Sequence, residues 1–321
     1  MTNCADRSRW AASRSTATSE RPVAQGSGRP VTVVLRTRAD LRAALAEVPR
    51  PVGLVPTMGW LHDGHRALID KARAEDATVV VTIFVNPRQF NEAADYTKYP
   101  RDEARDLAII AAAGADIVWA PPVDEVYPPG FDTTVAVGAV ARPLEGAARP
   151  GHFDGVATVV AILFSLVGAD RAYFGQKDAQ QVMVIGQMAR DLAIGTNVVA
   201  CPTIREPDGL ALSSRNVHLS PGERAAAPIL RRALVAARDA WLAGQRSGDA
   251  LRATMREVLA TEPLADVEYV SVADGLTLAE LERFDGPALA SLAVRFGVTR
   301  LIDNEILDRT AGQQADPPRP A

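Results

Sequence analysis

From Val31 onward the chain alternates short apolar runs with longer stretches in which apolar residues recur at helical spacing. Val31 to Leu35 reads as a strand and Asp40 to Val48 as a helix. Val52 to Val55 reads as a buried strand running into a glycine turn and a helix opened by His65. Thr78 to Val85 is a β-branched run of the kind found in a parallel sheet covered on both faces. Arg101 to Ala113 is an amphipathic helix before the strand Asp116 to Ala120. Gly155 to Val167 then reads as a buried helix, Arg171 to Phe174 as a strand, Lys177 to Leu192 as a helix and Thr196 to Ala200 as a strand. This alternation predicts an α/β fold, a doubly wound Rossmann-like parallel sheet.

The pattern changes after Cys201, where Pro202, Pro207 and Gly209 interrupt it. Ser220-Pro221-Gly222-Glu223 is a helix start with its own cap, and Arg224 to Leu242 and Asp249 to Leu259 carry long Ala/Arg/Leu helices. Strand-like runs follow at Val267 to Val272, Ala288 to Val294 and Thr299 to Ile302, which predicts a second, smaller α+β domain. The expected organisation is a disordered tail over 1–29, a nucleotide- and substrate-binding domain over 30–203, a lid domain over 204–308 and a loose tail over 309–321. Pro202 to Pro207 is a reasonable hinge between the two domains.

Composition narrows the function. The 321 residues are 47% hydrophobic and 23% charged, as in an ordinary globular protein, and the net charge of -4 with dispersed basic residues speaks against nucleic acid as a partner. A small molecule fits better. The apolar stretch Val156 to Val167 is well short of the roughly 20 residues needed to span a bilayer, so no membrane segment is expected. Two cysteines, Cys4 and Cys201, without neighbours at metal-ligand spacing, fit a cytoplasmic protein.

Three stretches concentrate reactive groups. Val55-Pro56-Thr57-Met58-Gly59-Trp60-Leu61-His62-Asp63-Gly64-His65 places two imidazoles at a helix entrance, where unpaired amides and the helix dipole favour an anion. Phe174-Gly175-Gln176-Lys177-Asp178 brings a lysine to the edge of the sheet where open α/β folds bind ligands. Leu212-Ser213-Ser214-Arg215 supplies hydroxyls and a guanidinium. Each also has a plainer reading, as caps, solvated surface or turns. Together they offer donors and cations but no thiol or serine with a base beside it, and neither a Walker A nor a GxGxxG pattern. The set points to phosphoryl or nucleotidyl transfer.

The segments PTMGWLHDGH, FVNPRQF, YPRD, RPGHFDGV, YFGQKDAQQ and DGLALSSRN occur in the order and approximate spacing of the pantoate:β-alanine ligases, and the resemblance covers roughly residues 33 to 307. That family belongs to the HxGH nucleotidyltransferase superfamily. The resemblance implies an ATP-dependent ligase that activates pantoate as an acyl adenylate, releases pyrophosphate, and passes the acyl group to β-alanine with loss of AMP. It implies that His62 and His65 donate to the phosphates, with His65 in the position treated as proton donor, and that Lys177, Ser213, Ser214 and Arg215 hold the phosphates. It places Met58, Gly59, Trp60, Leu61, His62, Asp63, Gly64, His65, Gly175, Gln176, Lys177, Asp178, Ile204, Leu212, Ser213, Ser214 and Arg215 at ATP, and Gln89, Gln181, Asn86, Val159 and Val160 at the other substrates. Magnesium is expected on the triphosphate with Asp106 as an outer-sphere contact, and a homodimer is implied. The chain departs from the family at Gln176, where glutamate is usual, and at Leu212, where methionine is usual. Two other readings stay open: a different adenylyltransferase of the superfamily, and a nucleotide-binding module of weak activity.

Overall fold

The computed structural model describes residues 31–91 and 93–308; the tails expected over 1–29 and 309–321 lie outside them. The strands are β1 (Val33–Leu35), β2 (Val52–Thr57), β3 (Thr78–Ile83), β4 (Ile117–Trp119), β5 (Arg171–Gly175), β6 (Asn197–Cys201), β7 (Asp266–Asp274), β8 (Ala288–Phe296) and β9 (Thr299–Leu307). The helices are α1 (Arg38–Leu45), α2 (Asp63–Glu75), α3 (Ala93–Lys98), α4 (Glu103–Ala113), α5 (Val123–Val126) and α6 (Glu145–Ala148), then α7 (His152–Val167), α8 (Ala179–Asp191), α9 (Pro221–Ala226), α10 (Ile229–Leu242) and α11 (Gly248–Leu259).

Six strands pair in parallel in the order β1-β4-β3-β2-β5-β6. The near-continuous apolar runs of β2, β3 and β4 are explained by cover on both faces, whereas β1 and β6 at the edges are more exposed. One face packs Leu54, Val80 and Phe174 against α7 and α8 through Val156, Phe164 and Ile185. The other packs Val55, Val79 and Val81 against α2 and α4 through Leu68, Ile69 and Ile110. The chain lays β3 and β4 on one side of β2, then crosses over to place β5 and β6 on the other. The order reverses between β2 and β5, and ligands bind at the carboxyl ends of strands at such a point. The loops leaving β2, β3 and β5 carry His62, Gln89 and Lys177.

An antiparallel sheet, β7-β8-β9, packs against α10 and α11 around a second apolar cluster that includes Trp241, Leu251, Leu292 and Phe296. Its strands run further than the apolar runs indicate, because a tight β8–β9 hairpin pairs Phe296 with Thr299 and carries the ladder to Leu307. The helix expected over Arg224 to Leu242 is two helices. Pro228 lacks the N–H the preceding turn needs, and the chain breaks between Ala226 and Ile229. Lys177 does not open an α-helix either; it sits in a 3-10 turn, Gln176–Asp178, with α8 starting at Ala179. No helix of the described residues is long and apolar enough to cross a membrane.

Candidate active site

At the end of β2 the backbone turns through Gly59 at φ 82° and Trp60 at φ 52°. The first suits a glycine, whereas Trp60 is held in a conformation unusual for its type. What holds it is Asp106 of α4, only 1% exposed, whose carboxylate accepts from the amides of Trp60 at 2.7 Å and Leu61 at 2.8 Å. The carboxylate expected as an outer-sphere magnesium contact thus also orders this turn. Its buried position suits a group that orders backbone.

The turn delivers His62 to the N-cap of α2 and His65 to its first turn, and the two imidazoles complete a reciprocal cap. Nδ1 of His62 accepts from the Gly64 amide at 3.1 Å, and Nδ1 of His65 accepts from the His62 amide at 3.3 Å. A neutral imidazole that accepts at Nδ1 carries its proton on Nε2. Both rings, 4.1 Å apart between centroids, thus offer Nε2–H donors. Burial, reinforced by the neighbouring His62, pushes the His65 pKa down to about 3, and burial followed by the Lys177 charge lowers that of His62. His65 is accordingly a hydrogen-bond donor that stays neutral at physiological pH.

Beyond β3, Asn86 organises the loop that presents Gln89. Asn86 is 1% exposed; its Nδ2 donates to Gln89 Oε1 and to the Gly155 carbonyl, both at 3.0 Å, while its Oδ1 accepts from Tyr127 at 2.8 Å. The Gln89 amide, so oriented, points Nε2 at Met58 Sδ at 3.2 Å. Gln180 and Gln181 separate cleanly. Gln180 is buried and committed to the carbonyls of Val140 and Pro143 and the amide of Glu145, whereas Gln181 lines a cavity with Lys177, Asp178, Arg149 and Arg215.

Among the described residues the Lys177 ammonium meets only a long contact to Asp178 at 3.5 Å. The loop carrying Leu212, Ser213, Ser214 and Arg215 folds back so that the Leu212 amide donates to the Ile204 carbonyl at 2.9 Å, and Ser213 Oγ caps a short 3-10 turn by accepting from the Arg215 amide. Ser214 is hydrogen-bonded to Tyr99, whose hydroxyl pKa is raised by burial. Val159 and Val160 are buried in the apolar cluster of α7, and neither lines the cavity that holds Lys177 and Gln181. Among the described residues no three His, Cys, Asp or Glu side chains gather as a metal site. A magnesium ion brought in on a triphosphate would have to be held mainly by the phosphates themselves.

Three contributors lie outside the expected site residues, and of these only His152, a scarce histidine in the glycine-flanked turn of RPGHFDGV, stands out in the sequence as a loop-ordering residue. Arg149 lines the cavity beside Arg215, and among the described residues neither guanidinium forms an ion pair with a carboxylate. Burial, then the charge of Arg215, lowers the Arg149 pKa. His152 steers Arg149: its Nδ1–H donates to the Gln89 carbonyl at 2.8 Å and its Nε2 accepts from Arg149 at 3.3 Å. Asn304, on β9, reaches the turn that carries Lys177. The signal for Arg149 was the motif it shares with His152, and none pointed to Asn304.

Burial, then the Arg149 charge, lowers the His152 pKa to about 4. A histidine in the unfolded chain takes its proton near 6.5, so between those values the unfolded state binds more protons and stability falls with falling pH. The expected loss from His152 is about 1.4 kcal/mol per pH unit from 6.5 down to 4. Thermal unfolding midpoints across this range check it, and His152→Asn is expected to flatten the slope.

The sequence profile of the family described as Pantoate-beta-alanine ligase matches residues 33–306. A pantothenate synthetase of Roseiflexus sp. (strain RS-1) is 58% identical over 275 residues, covering 86% of this chain and 99% of the relative. Among solved structures, a pantothenate synthetase of Thermus thermophilus superposes with a TM-score of 0.82 at 48% identity, over 86% of this chain and 99% of that one. The pantoate-beta-alanine ligase of Francisella tularensis, complexed with beta-gamma ATP and beta-alanine, has a TM-score of 0.70 at 32% identity, over 86% of this chain and 98% of that one.

Proposed function

The chain belongs to the pantoate–β-alanine ligase family, and from this premise we propose that it condenses pantoate with β-alanine, driven by ATP, through a pantoyl adenylate, releasing pyrophosphate and AMP. The observation that carries the reading is the convergence at one sheet edge of two neutral Nε2–H donors, His62 and His65, with Lys177 close enough to depress the His62 pKa. Attack of the pantoate carboxylate on the α-phosphate builds negative charge on the phosphate oxygens and on the leaving pyrophosphate. Prepositioned neutral donors and fixed cations stabilise that charge without a covalent enzyme intermediate.

On this reading Met58, Gly59, Trp60, Leu61, Asp63, Gly64, Gly175, Gln176, Asp178, Ile204 and Leu212 shape the ATP site, and Lys177, Ser213, Ser214 and Arg215 hold the phosphates. Gln89, kept in place by Asn86, and Gln181 bind pantoate, and Gln89 also meets β-alanine. Val159 and Val160 back the pocket from α7. Residues 204–308 act as a lid, magnesium rides on the triphosphate, and the working unit is a cytoplasmic homodimer.

Arg149 joins the phosphate-binding cations. Three positive side chains around one cavity suit a polyvalent leaving group better than a single carboxylate. Arg149→Ala is expected to slow ATP–pyrophosphate exchange about tenfold, with aminolysis of the adenylate little changed; a loss confined to aminolysis would assign it to the β-alanine carboxylate instead.

The experiment that tests the function follows nucleotide products with ATP, pantoate and β-alanine present. AMP and pantothenate in equal amounts, dependent on β-alanine, support the ligase. An adenylylated product retained without AMP would mark a different adenylyltransferase, and ATP binding without turnover a binding module.

A further inference from the structure

Asn304 belongs to the antiparallel sheet, far in sequence from the turn that carries Lys177, yet it is 5% exposed and commits its side chain to that turn. Its Nδ2 donates to the main-chain carbonyls of Gln176 and Lys177, both at 2.9 Å, and its Oδ1 accepts from Gln176 Nε2 at 3.3 Å. Neither the 3-10 turn nor the start of α8 has a side-chain cap of its own. The external amide is thus the side-chain hold on the backbone that aims Lys177.

Asn304 is itself braced from behind. Its main-chain N–H donates to Asp303 Oδ1 at 2.8 Å, and Asp303, 2% exposed, is gripped through both oxygens by Arg205 at 2.6 and 3.0 Å. A charge pair with two parallel bonds fixes orientation as well as distance. The line from Arg205 through Asp303 and Asn304 to the Lys177 backbone is built from short, mostly buried contacts, and Asn304 lines the same cavity as Lys177, Arg149 and Arg215.

We propose that Asn304 is a positioning residue for adenylate formation: by clamping the carbonyls of Gln176 and Lys177 it lets the antiparallel sheet set where the Lys177 ammonium meets the ATP phosphates. The proposal rests on Lys177 being a phosphate ligand. On this account glutamine at 176 leaves the clamp intact, because the two shorter bonds go to main chain, which any residue at 176 supplies. Misplacing a charge-stabilising group by about 1 Å can cost as much as 10²-fold in rate.

A double-mutant cycle between Asn304 and Lys177 tests it, read as ATP–pyrophosphate exchange and as single-turnover aminolysis of enzyme-bound adenylate. Lys177→Ala is expected to slow exchange at least about 10²-fold; exchange at the wild-type rate would remove Lys177 from the phosphate site, a failure of the functional reading itself. With that loss in place, Asn304→Ala is expected to slow exchange about thirtyfold in the wild-type background, less than about threefold in the Lys177→Ala background, and to leave aminolysis within about threefold. Asn304→Asp, which keeps the shape but loses both donations, is expected to behave alike and is read in the same cycle if the alanine variant does not fold. Losses that multiply in the double variant, or exchange within threefold of wild type in either Asn304 variant, would overturn the proposal.

Discussion

His65→Ala is expected to lower the rate of adenylate formation at least about 10²-fold, the loss typical of removing one prepositioned donor from a site of developing negative charge. The tautomer decides this. Because Nδ1 of His65 is occupied by the His62 amide, the proton must sit on Nε2, and the low pKa near 3 keeps the ring neutral throughout the working range. The same substitution removes one half of the helix cap, at a cost of about 1 kcal/mol in stability. His65→Asn separates the two roles: its side-chain oxygen can still accept from the His62 amide, but the Nε2–H donor is gone. Both variants are expected to be equally slow in ATP–pyrophosphate exchange, with only the alanine variant unfolding earlier. An asparagine variant as fast as wild type would reduce His65 to a cap.

Gly155→Ala is expected to cost about 3 kcal/mol or more and to abolish most of the activity, although Gly155 touches no reacting group. Helix α7 packs directly on the loop that carries Gln89. A Cβ at Gly155 would lie 2.2 Å from the Arg88 carbonyl oxygen, 2.5 Å from its carbon and 2.7 Å from the Gln89 nitrogen. These are backbone atoms that cannot swing aside, so the loop must move, and with it the Asn86 to Gly155 hydrogen bond and the Gln89 side chain. Gly186→Ala in α8 is the control. Its Cβ would meet only Arg190 Nη1 at 3.5 Å, and replacing a mid-helix glycine is expected to be neutral or to stabilise by up to about 1 kcal/mol. Thermal unfolding and pantothenate production for the two variants check the contrast; a Gly155→Ala protein as stable and active as wild type would contradict the close approach.

The parallel sheet was legible because its strands are apolar on both faces and its helices carry a clear period, so Thr78 to Val85 and Gly155 to Val167 identify themselves within a few residues of their ends. The two histidines were legible as a helix entrance for the same local reason. Their tautomer was not, since it depends on which atom of each ring meets an amide. Asp106 was legible only in part. A carboxylate in the first turn of an amphipathic helix looks available for a cation, and only the fold of the Trp60–Leu61 turn reveals that it also holds backbone amides. Arg149, His152 and Asn304 act across distances of 60 to 128 residues in the chain, and no spacing rule reaches that far. Pro228 could have been read directly, as an interruption of the helix expected through it.

The proposed mechanism turns on one step, attack of the pantoate carboxylate on the α-phosphate held among His62, His65 and Lys177. With pantoate labelled by ¹⁸O in its carboxylate, mass analysis of the AMP formed in the presence of ATP and β-alanine is expected to find one labelled oxygen transferred per turnover. Pantothenate formed alongside AMP that carries no label would contradict it.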